Sequence, residues 1–534
     1  MSNTVFAVLT EVVSIQKYVF GSNKLRENLG ASWLIQQSYK EPLKNCVKKV
    51  LPSVNDDVFD EWEKNSNVIQ MNNGAEFKVG YIGGGNALLF FKEEEKAKNF
   101  IKEWTKSLLV QSPGVVTAVT CNKFDLNNNF PEEIDKIFKK LHENKYSQIP
   151  QTVIPRHGIT AECPHSGYSM EKNWYPLKIT YLSSTINAKI HSAEESKKEL
   201  EEIYKAILNN QFCFTDELDE LGQQTGESHI AIVHIDGNGM GKKFQAKESL
   251  PELRELSKSV KKATDKSFEL LIGLIIDKFD DIVTALGYKD SSDYKGKHKC
   301  KDGKTILPIR PIIIGGDDIT FVSEGRLGIY FAKLFLEFFE TNGADIKDDG
   351  GNGLSACAGV AITKTKYPFY RGYELATELC SNAKKVRKTQ KDKDKGSWLD
   401  FHIAYGGFSG TLEDIRKNHY KAPMGDLCFR PYKIKDSNEK GFEILVQNTK
   451  KLKKDFPKNK LKELRQALTL GQESIDKFKK HITARGLNLP EIEGKTYQKN
   501  LFVGETQRLT PYFDMIEFME FYPSFELEDK KKEA

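Results

Sequence analysis

Asp236, Asp317 and Asp318 are the residues of this 534-residue chain whose type and spacing could do chemistry. Asp236 follows an apolar run in HIAIVHIDGNGMGKKF (229–244), and two adjacent aspartates sit in RPIIIGGDDITFV (310–322). Neighbouring carboxylates raise one another's pKa unless something neutralises them. A hard divalent cation does so: Mg²⁺ takes oxygen ligands and keeps substrate phosphates in its shell. Two such ions can activate an attacking hydroxyl and stabilise a leaving pyrophosphate oxygen, which is nucleotidyl transfer. Gly237, Gly239 and Gly241 remove side chains beside Asp236, and Gly315 and Gly316 supply the turn before Asp317. Further along, ELATELCSNAKKVRK (374–388) offers Lys384 and Lys385, either of which can meet a phosphate as a point charge. DGNGMGKK is not a Walker loop, since Asp236 stands where the first glycine belongs and Lys243 replaces the Ser/Thr.

Bringing these carboxylates together takes a particular order of elements, and the chain spells it twice. FAVLTEVVSIQKYVF (6–20) and HIAIVHIDGNGMGKKF each read as a strand running into a helix. YIGGGNALLFF (81–91) and IIIGGDDITFV each read as a hairpin with a glycine turn. A helical stretch follows each hairpin (92–109 and 327–340), then a further strand, GVVTAVT (114–120) and LSACAGVAIT (354–363). Glu11 precedes Gly85 by 74 positions and Asp236 precedes Asp317 by 81, so the two halves match in spacing. This order predicts an α+β chain with two ferredoxin-like palms, each an antiparallel sheet with helices on one face. The first palm has Gly85 and Asn86 where the second has Asp317 and Asp318, so only the second is expected to hold metal. The expected domains are 1–122 (first palm, degenerate), 123–226 (linker), 227–407 (second palm, catalytic) and 408–534 (C-terminal helical domain).

Composition narrows the class. With 39% apolar and 29% charged residues the chain reads as globular with real cores, and its net charge of +5 does not by itself argue for a nucleic-acid binder. No run approaches the roughly 18 apolar residues of a membrane span, and the start lacks signal-peptide features. The eight cysteines are scattered without a CxxC and read as reduced thiols of a cytoplasmic protein, with Cys357 and Cys380 in the core. His157, Cys163, His165 and Cys213 lack paired ligand spacing, so no zinc is expected. The run KKVRKTQKDKDKG (384–396), beyond its first lysines, reads as a solvated loop, and the lysines of 450–463 as a solvated helix face.

Taken in order, IDGNGMG, IIIGGDDITF, LSACAGVAIT and CSNAKK resemble the palm of the large polymerase-like subunit of type III CRISPR effector complexes. They are more loosely similar to GGDEF-type diguanylate cyclases and class III adenylyl cyclases. SIQKYVFGSNKLRENLGAS resembles that subunit's first palm, and RPYKIKDSNEKGFEIL (430–445) its C-terminal helical domain. The resemblance implies two palms facing each other, with the GGDD-bearing one converting ATP and Mg²⁺ (or Mn²⁺) into cyclic oligoadenylates for antiviral defence. It implies Asp236, Asp317 and Asp318 as metal and catalytic carboxylates. Gly237, Asn238, Gly315, Gly316, Ser355 and Lys384 would be nucleotide-binding. Two departures set this chain apart: it has no His-Asp dipeptide for an HD nuclease, and no four-cysteine zinc site. Partners expected on this basis are nucleoside triphosphates with RNA-binding repeat subunits and guide RNA, or a second copy of the chain if it acts alone, and no membrane. The alternatives are a stand-alone cyclic dinucleotide synthase and a catalytically silent scaffold.

Overall fold

The apolar, β-branched runs at the head of each repeat form central strands of two separate sheets. The computed structural model describes residues 4–64, 75–83, 85–126, 128–147, 158–171, 181–348, 350–390, 395–406, 410–492, 497, 501–504 and 508–522. The chain divides into two compact units: residues 1–205 with 239–264 and 312–316, and residues 206–238 with 265–311 and 317–534.

In chain order the first part runs β1 (Thr4–Val13), α1 (Ile15–Val19), α2 (Leu25–Ser38), α3 (Glu41–Val50), α4 (Asp57–Lys64), β2 (Phe77–Gly83), β3 (Asn86–Phe91), α5 (Glu94–Gln111), β4 (Val116–Asp125), α6 (Phe130–Ser147) and α7 (Ser184–Ile203). Its sheet has the order β2-β3-β1-β4. Gly30 lets α2 and α7 touch backbone to backbone, because a Cβ there would fall 1.7 Å from the Lys189 carbonyl oxygen. Gly80 is the bulge where the β2–β3 register slips. The buried guanidinium of Arg254 donates to the carbonyls of Gly80, at 2.6 Å, and Val79. Carbonyls that the bulge takes out of the ladder thus regain donors.

Lys189 is buried with its ammonium 2.6 Å from the Tyr18 carbonyl and 4.2 Å from the Tyr18 ring. Burial pulls its pKa down to about 8. An unfolded lysine titrates near 10.4, so between those values the unfolded chain binds the extra proton and stability rises with pH. Below pH 8 both states are charged and the stabilisation is absent. Against Lys189→Met, the native chain is therefore expected to gain roughly 2–3 kcal/mol between pH 7.5 and 10. Urea unfolding of both proteins across that range checks it; parallel curves would contradict the assignment.

The second part runs α8 (Lys205–Leu208), β5 (Phe212–Cys213), β6 (His229–Gly237), α9 (Met240–Gln245), α10 (Leu250–Asp277), α11 (Phe279–Ala285), α12 (Ser291–Lys297), β7 (Thr305–Ile306), β8 (Ile309–Gly315), β9 (Asp318–Glu324), α13 (Gly328–Asn342), β10 (Ala356–Lys364), α14 (Phe369–Thr389) and β11 (Trp398–Ile403). It closes with α15 (Leu412–His419), β12 (Lys421–Ala422), β13 (Gly425–Asp426), β14 (Tyr432–Lys433), α16 (Phe442–Asp455), α17 (Lys458–Leu470), α18 (Gln472–Thr483) and α19 (Tyr512–Glu520). The large sheet has the order β14-β11-β10-β6-β9-β8. Its segment β8-β9-β6-β10 repeats the order β2-β3-β1-β4, so the duplicated α+β palm read from the sequence is present.

Two expectations are corrected here. The second sheet is mixed rather than antiparallel: β11 runs parallel to β10, and α14 supplies the crossover that a parallel neighbour requires. Nor are all cysteines free, since Cys213 and Cys300 form a disulfide across a separation of 87 residues. Spacing could not announce that pair; the parallel pairing of β5 with β7 brings their neighbourhoods together. Cys357 and Cys380 are core thiols as expected, and burial pushes the Cys357 thiol up to about 11. Among the described residues no helix is long and apolar enough to cross a membrane.

Candidate active site

β6 ends where β9 begins, and their antiparallel register sets Asp236 directly opposite Asp318. Cross-strand partners of this kind have Cβ atoms about 5 Å apart. Asp317 is drawn to the same spot because the Gly237 amide donates to its carbonyl at 3.0 Å. The turn ahead of it needs Gly316, whose φ of 57° is a left-handed conformation that a side chain would strain. The Thr264 hydroxyl donates to the Gly316 carbonyl and holds that turn.

Lys384, from α14, places its ammonium 2.6 Å from the Asp236 carboxylate and 2.9 Å from the Gly237 carbonyl. The side chains of Asp236 and Asp318 remain 41% and 35% exposed, so a ligand from solvent can reach both. Burial first, and then the charge of Asp236, raise the pKa of Asp317. A carboxylate whose ionised form is disfavoured, beside a second one that a lysine neutralises, is a donor set suited to a hard cation. The three carboxylates do not form a preformed cage, however. Their oxygens do not all come within 4.8 Å of one another, against the tight convergence expected from the sequence. Asp236 is turned toward Lys384, and Asp318 has one oxygen 3.4 Å from the ring of buried His234.

His234 carried no signal in the sequence beyond being one polar residue in an apolar strand. It packs edge-on against Tyr373, its Nδ1 lies 3.3 Å from the Thr320 hydroxyl, and burial lowers its pKa to about 4. It is therefore neutral and stands behind Asp318 rather than in the solvent-facing part of the site.

Two predicted nucleotide contacts are tied up within the protein. The Asn238 amide N–H donates to the Ser355 carbonyl at 2.8 Å, its side-chain amide donates to the Ser355 hydroxyl at 3.2 Å, and its Oδ1 accepts from the Cys357 thiol. These bonds staple the end of β6 to the head of β10. Arg387, one turn beyond Lys384, donates to the Gly396 carbonyl at 2.9 Å and to the Ser355 hydroxyl at 3.4 Å. It lies in the run expected to be a solvated loop, but α14 extends to Thr389 and turns Arg387 inward, and sequence alone does not show which lysine or arginine does so. Gly315 and Gly241 face open space.

Placing Lys384 requires α14 to lie hard against β10, and Gly359 permits it. A Cβ at Gly359 would fall 2.0 Å from the Ala376 carbonyl oxygen and 2.5 Å from the Cys380 nitrogen. Both are helix backbone and cannot step aside. Gly359→Ala is expected to lift α14, cost about 1–3 kcal/mol and separate Lys384 from Asp236. Thermal unfolding and a crystal structure of the variant test this; an unchanged Lys384–Asp236 distance would show that the helix does not depend on that contact.

The first palm repeats the arrangement in weaker form. Glu11 pairs in register with Asn86, and the Val12 amide donates to the Gly85 carbonyl, the counterpart of the Gly237–Asp317 bond. Lys145 of α6 lies 2.6 Å from Glu11. The first palm thus keeps one carboxylate and its lysine and lacks the two aspartates. Of the residues considered for zinc, His165 has Nδ1 2.5 Å from buried Glu27, Cys163 is buried, Cys213 is in the disulfide, and His157 lies outside the described residues.

Residues 229–395 match the family model described as Cas10/Cmr2, second palm domain. No curated protein matches the chain. Among solved structures, a Csm1–Csm4 cassette in complex with cA4 matches with a TM-score of 0.50 and 14% identity, covering 97% of this chain and 70% of that one. The same cassette in complex with pppApApA matches with a TM-score of 0.50 and 13% identity, over 97% of this chain and 69% of that one. The cassette with AMPPNP matches with a TM-score of 0.42 and 14% identity over 72% of this chain, which spans about half, 53%, of that one. These likenesses are of fold. The strand order, the Asp236–Asp318 register and the order of motifs agree with the family match: residues 229–395 have the fold and the motifs of a second palm domain of the Cas10/Cmr2 family.

Proposed function

We propose that the second palm is a metal-dependent nucleotidyl cyclase or oligonucleotide synthase that joins ATP units into a cyclic oligoadenylate, as the large subunit of a type III CRISPR complex. One observation carries the reading: Asp236 and Asp318 face each other across β6 and β9, with Asp317 at the turn and Lys384 on the same carboxylate. A scaffold has no use for aspartates set opposite each other at the ends of two paired strands. Asp236, Asp317 and Asp318 would hold Mg²⁺ or Mn²⁺, which when bound lowers the pKa of an attacking ribose hydroxyl and neutralises charge on the phosphates.

The chain's own residues do the rest. Gly315 and Gly316 leave room for a triphosphate beside the carboxylates. Lys384 moves from Asp236 to the phosphates as a point charge. Asn238 and Ser355 hold the two strand ends at a fixed spacing, so that the nucleotide meets a prearranged wall. The similar cassettes are in complex with cA4 and pppApApA, which favours adenine nucleotides here.

The test is incubation of the purified chain with each nucleoside triphosphate and Mg²⁺ or Mn²⁺, with products identified by mass spectrometry, alone and with RNA-binding partner subunits and guide RNA. A cyclic oligoadenylate is the expected product. A cyclic dinucleotide formed by the chain alone would move it to the stand-alone alternative, and no product under any condition would leave the scaffold.

A further inference from the structure

We infer that Asn382 and Asp400 are positioning residues for Lys384, and that through Arg416 they couple the segment after the palm to the proposed nucleotide site. This rests on the reading of Lys384 given above and deepens it. α14 touches its surroundings on three sides. Its underside meets β10, where Cys380 and Ala383 pack with Cys357 and Trp398 and the backbone sits on Gly359. On one flank Lys384 reaches Asp236 and the Gly237 carbonyl. On another, the Asn382 amide donates to the Asp400 carboxylate at 2.7 Å. Residues 382 and 384 are about 200° apart around a helix, so a bond at one and a bond at the other together set its roll.

Asp400, on β11, is a firm anchor. It is fully buried and accepts four hydrogen bonds: from Asn382, twice from the Arg416 guanidinium at 2.7 and 2.9 Å, and from the Phe401 amide at 2.9 Å. Arg416 belongs to α15, beyond the palm. A second tether joins the same two helices, since the Leu412 amide at the start of α15 donates to Glu378 of α14. Both Asp400 oxygens are engaged and each of the three side chains is tied to the next, so the contact holds one geometry, although the Arg416 Nε makes no hydrogen bond of its own. A shift of α15 therefore reaches α14 through a charged contact, and through α14 the ammonium of Lys384.

The experiment compares the native chain with Asn382→Ala, Lys384→Ala, the double variant, and the exchange Asn382→Asp/Asp400→Asn, which restores an amide–carboxylate pair. Calorimetry with ATP and Mg²⁺ reads affinity, and amide hydrogen exchange reads residues 380–389. The expected result is roughly tenfold weaker ATP binding in Asn382→Ala, no further loss when it is added to Lys384→Ala, and partial recovery in the exchange variant. Faster exchange over the last turns of α14, with the melting temperature nearly unchanged, completes the expectation. Unchanged exchange and affinity in Asn382→Ala overturns the inference, as does a loss that adds in full to that of Lys384→Ala. If Lys384→Ala binds ATP normally, the nucleotide reading of Lys384 fails instead. The exchange data then decide separately whether Asn382 holds the helix.

Discussion

Asp317→Ala/Asp318→Ala is expected to lose nucleotide-joining activity by roughly 10³-fold or more while remaining folded. Outer partners of metal ligands alone cost 10–100-fold, and this change removes two of the three proposed ligands themselves. The fold should tolerate it. Asp318 is partly exposed, and truncating Asp317 removes a carboxylate whose ionised form is disfavoured first by burial and then by the charge of Asp236. Far-UV circular dichroism and the melting temperature should match or slightly exceed those of the native chain. Mass spectrometry of the ATP reaction and calorimetric titration with Mg²⁺ in the presence of nucleotide are the measurements. A variant that keeps making product places the chemistry elsewhere. Asp236→Asn provides an internal comparison: it removes the charge that Lys384 neutralises, so it should abolish activity and leave Lys384 released from its ion pair.

Arg430→Ala should be the most damaging single change to stability, at about 3–5 kcal/mol. The Arg430 guanidinium has no solvent exposure, donates to Glu517 at 2.7 Å and lies 3.7 Å from Asp514, both nearly or fully buried on α19. Its amide donates to Asp514 at 2.6 Å, and its plane lies over the rings of Phe401 and Tyr420. Truncation leaves buried Asp514 without its cation and Glu517 with only the partly exposed Arg465 at 3.8 Å, and burial already raises the pKa of Asp514. The variant should therefore regain stability as the pH falls and Asp514 takes up a proton. A second variant separates charge from packing. Arg430→Met with Asp514→Leu and Glu517→Leu removes the three buried charges, leaves only the partly exposed Arg465 beside them, and should recover most of the loss, since replacing a buried ion group by apolar residues is often neutral or better. Chemical denaturation of the three proteins reads both effects. A loss below about 1 kcal/mol in Arg430→Ala would mean that water reaches the cluster.

The local pattern of residues was enough for the duplicated palm. Alternating and continuous apolar runs, glycine turns and helical periodicity are short-range signals, and they put β1, β6, both hairpins and α5, α13 and α14 near their observed places. The same signals gave the alignment of Glu11 with Asp236 and of Asn86 with Asp318, which the strand registers reproduce. Side-chain chemistry at a known backbone position was legible too: two adjacent aspartates after two glycines mean a charged tip whatever surrounds it.

Long-range packing decided the rest. That β11 adds in parallel, that Cys213 meets Cys300, and that Lys145 sits on Glu11 depend on which surfaces meet in three dimensions, and no short window encodes this. The sequence offered Lys384 and Lys385 equally; Gly359 and Asn382 fix the height and roll of α14, and so aim Lys384 at Asp236. It likewise suggested that three carboxylates crowd together, but their separation is set by competing partners, a lysine for Asp236 and a buried histidine for Asp318. Residue identity determined which charges exist at the second palm; only the tertiary structure, through the direction each charged side chain is pulled, decided which of them meet.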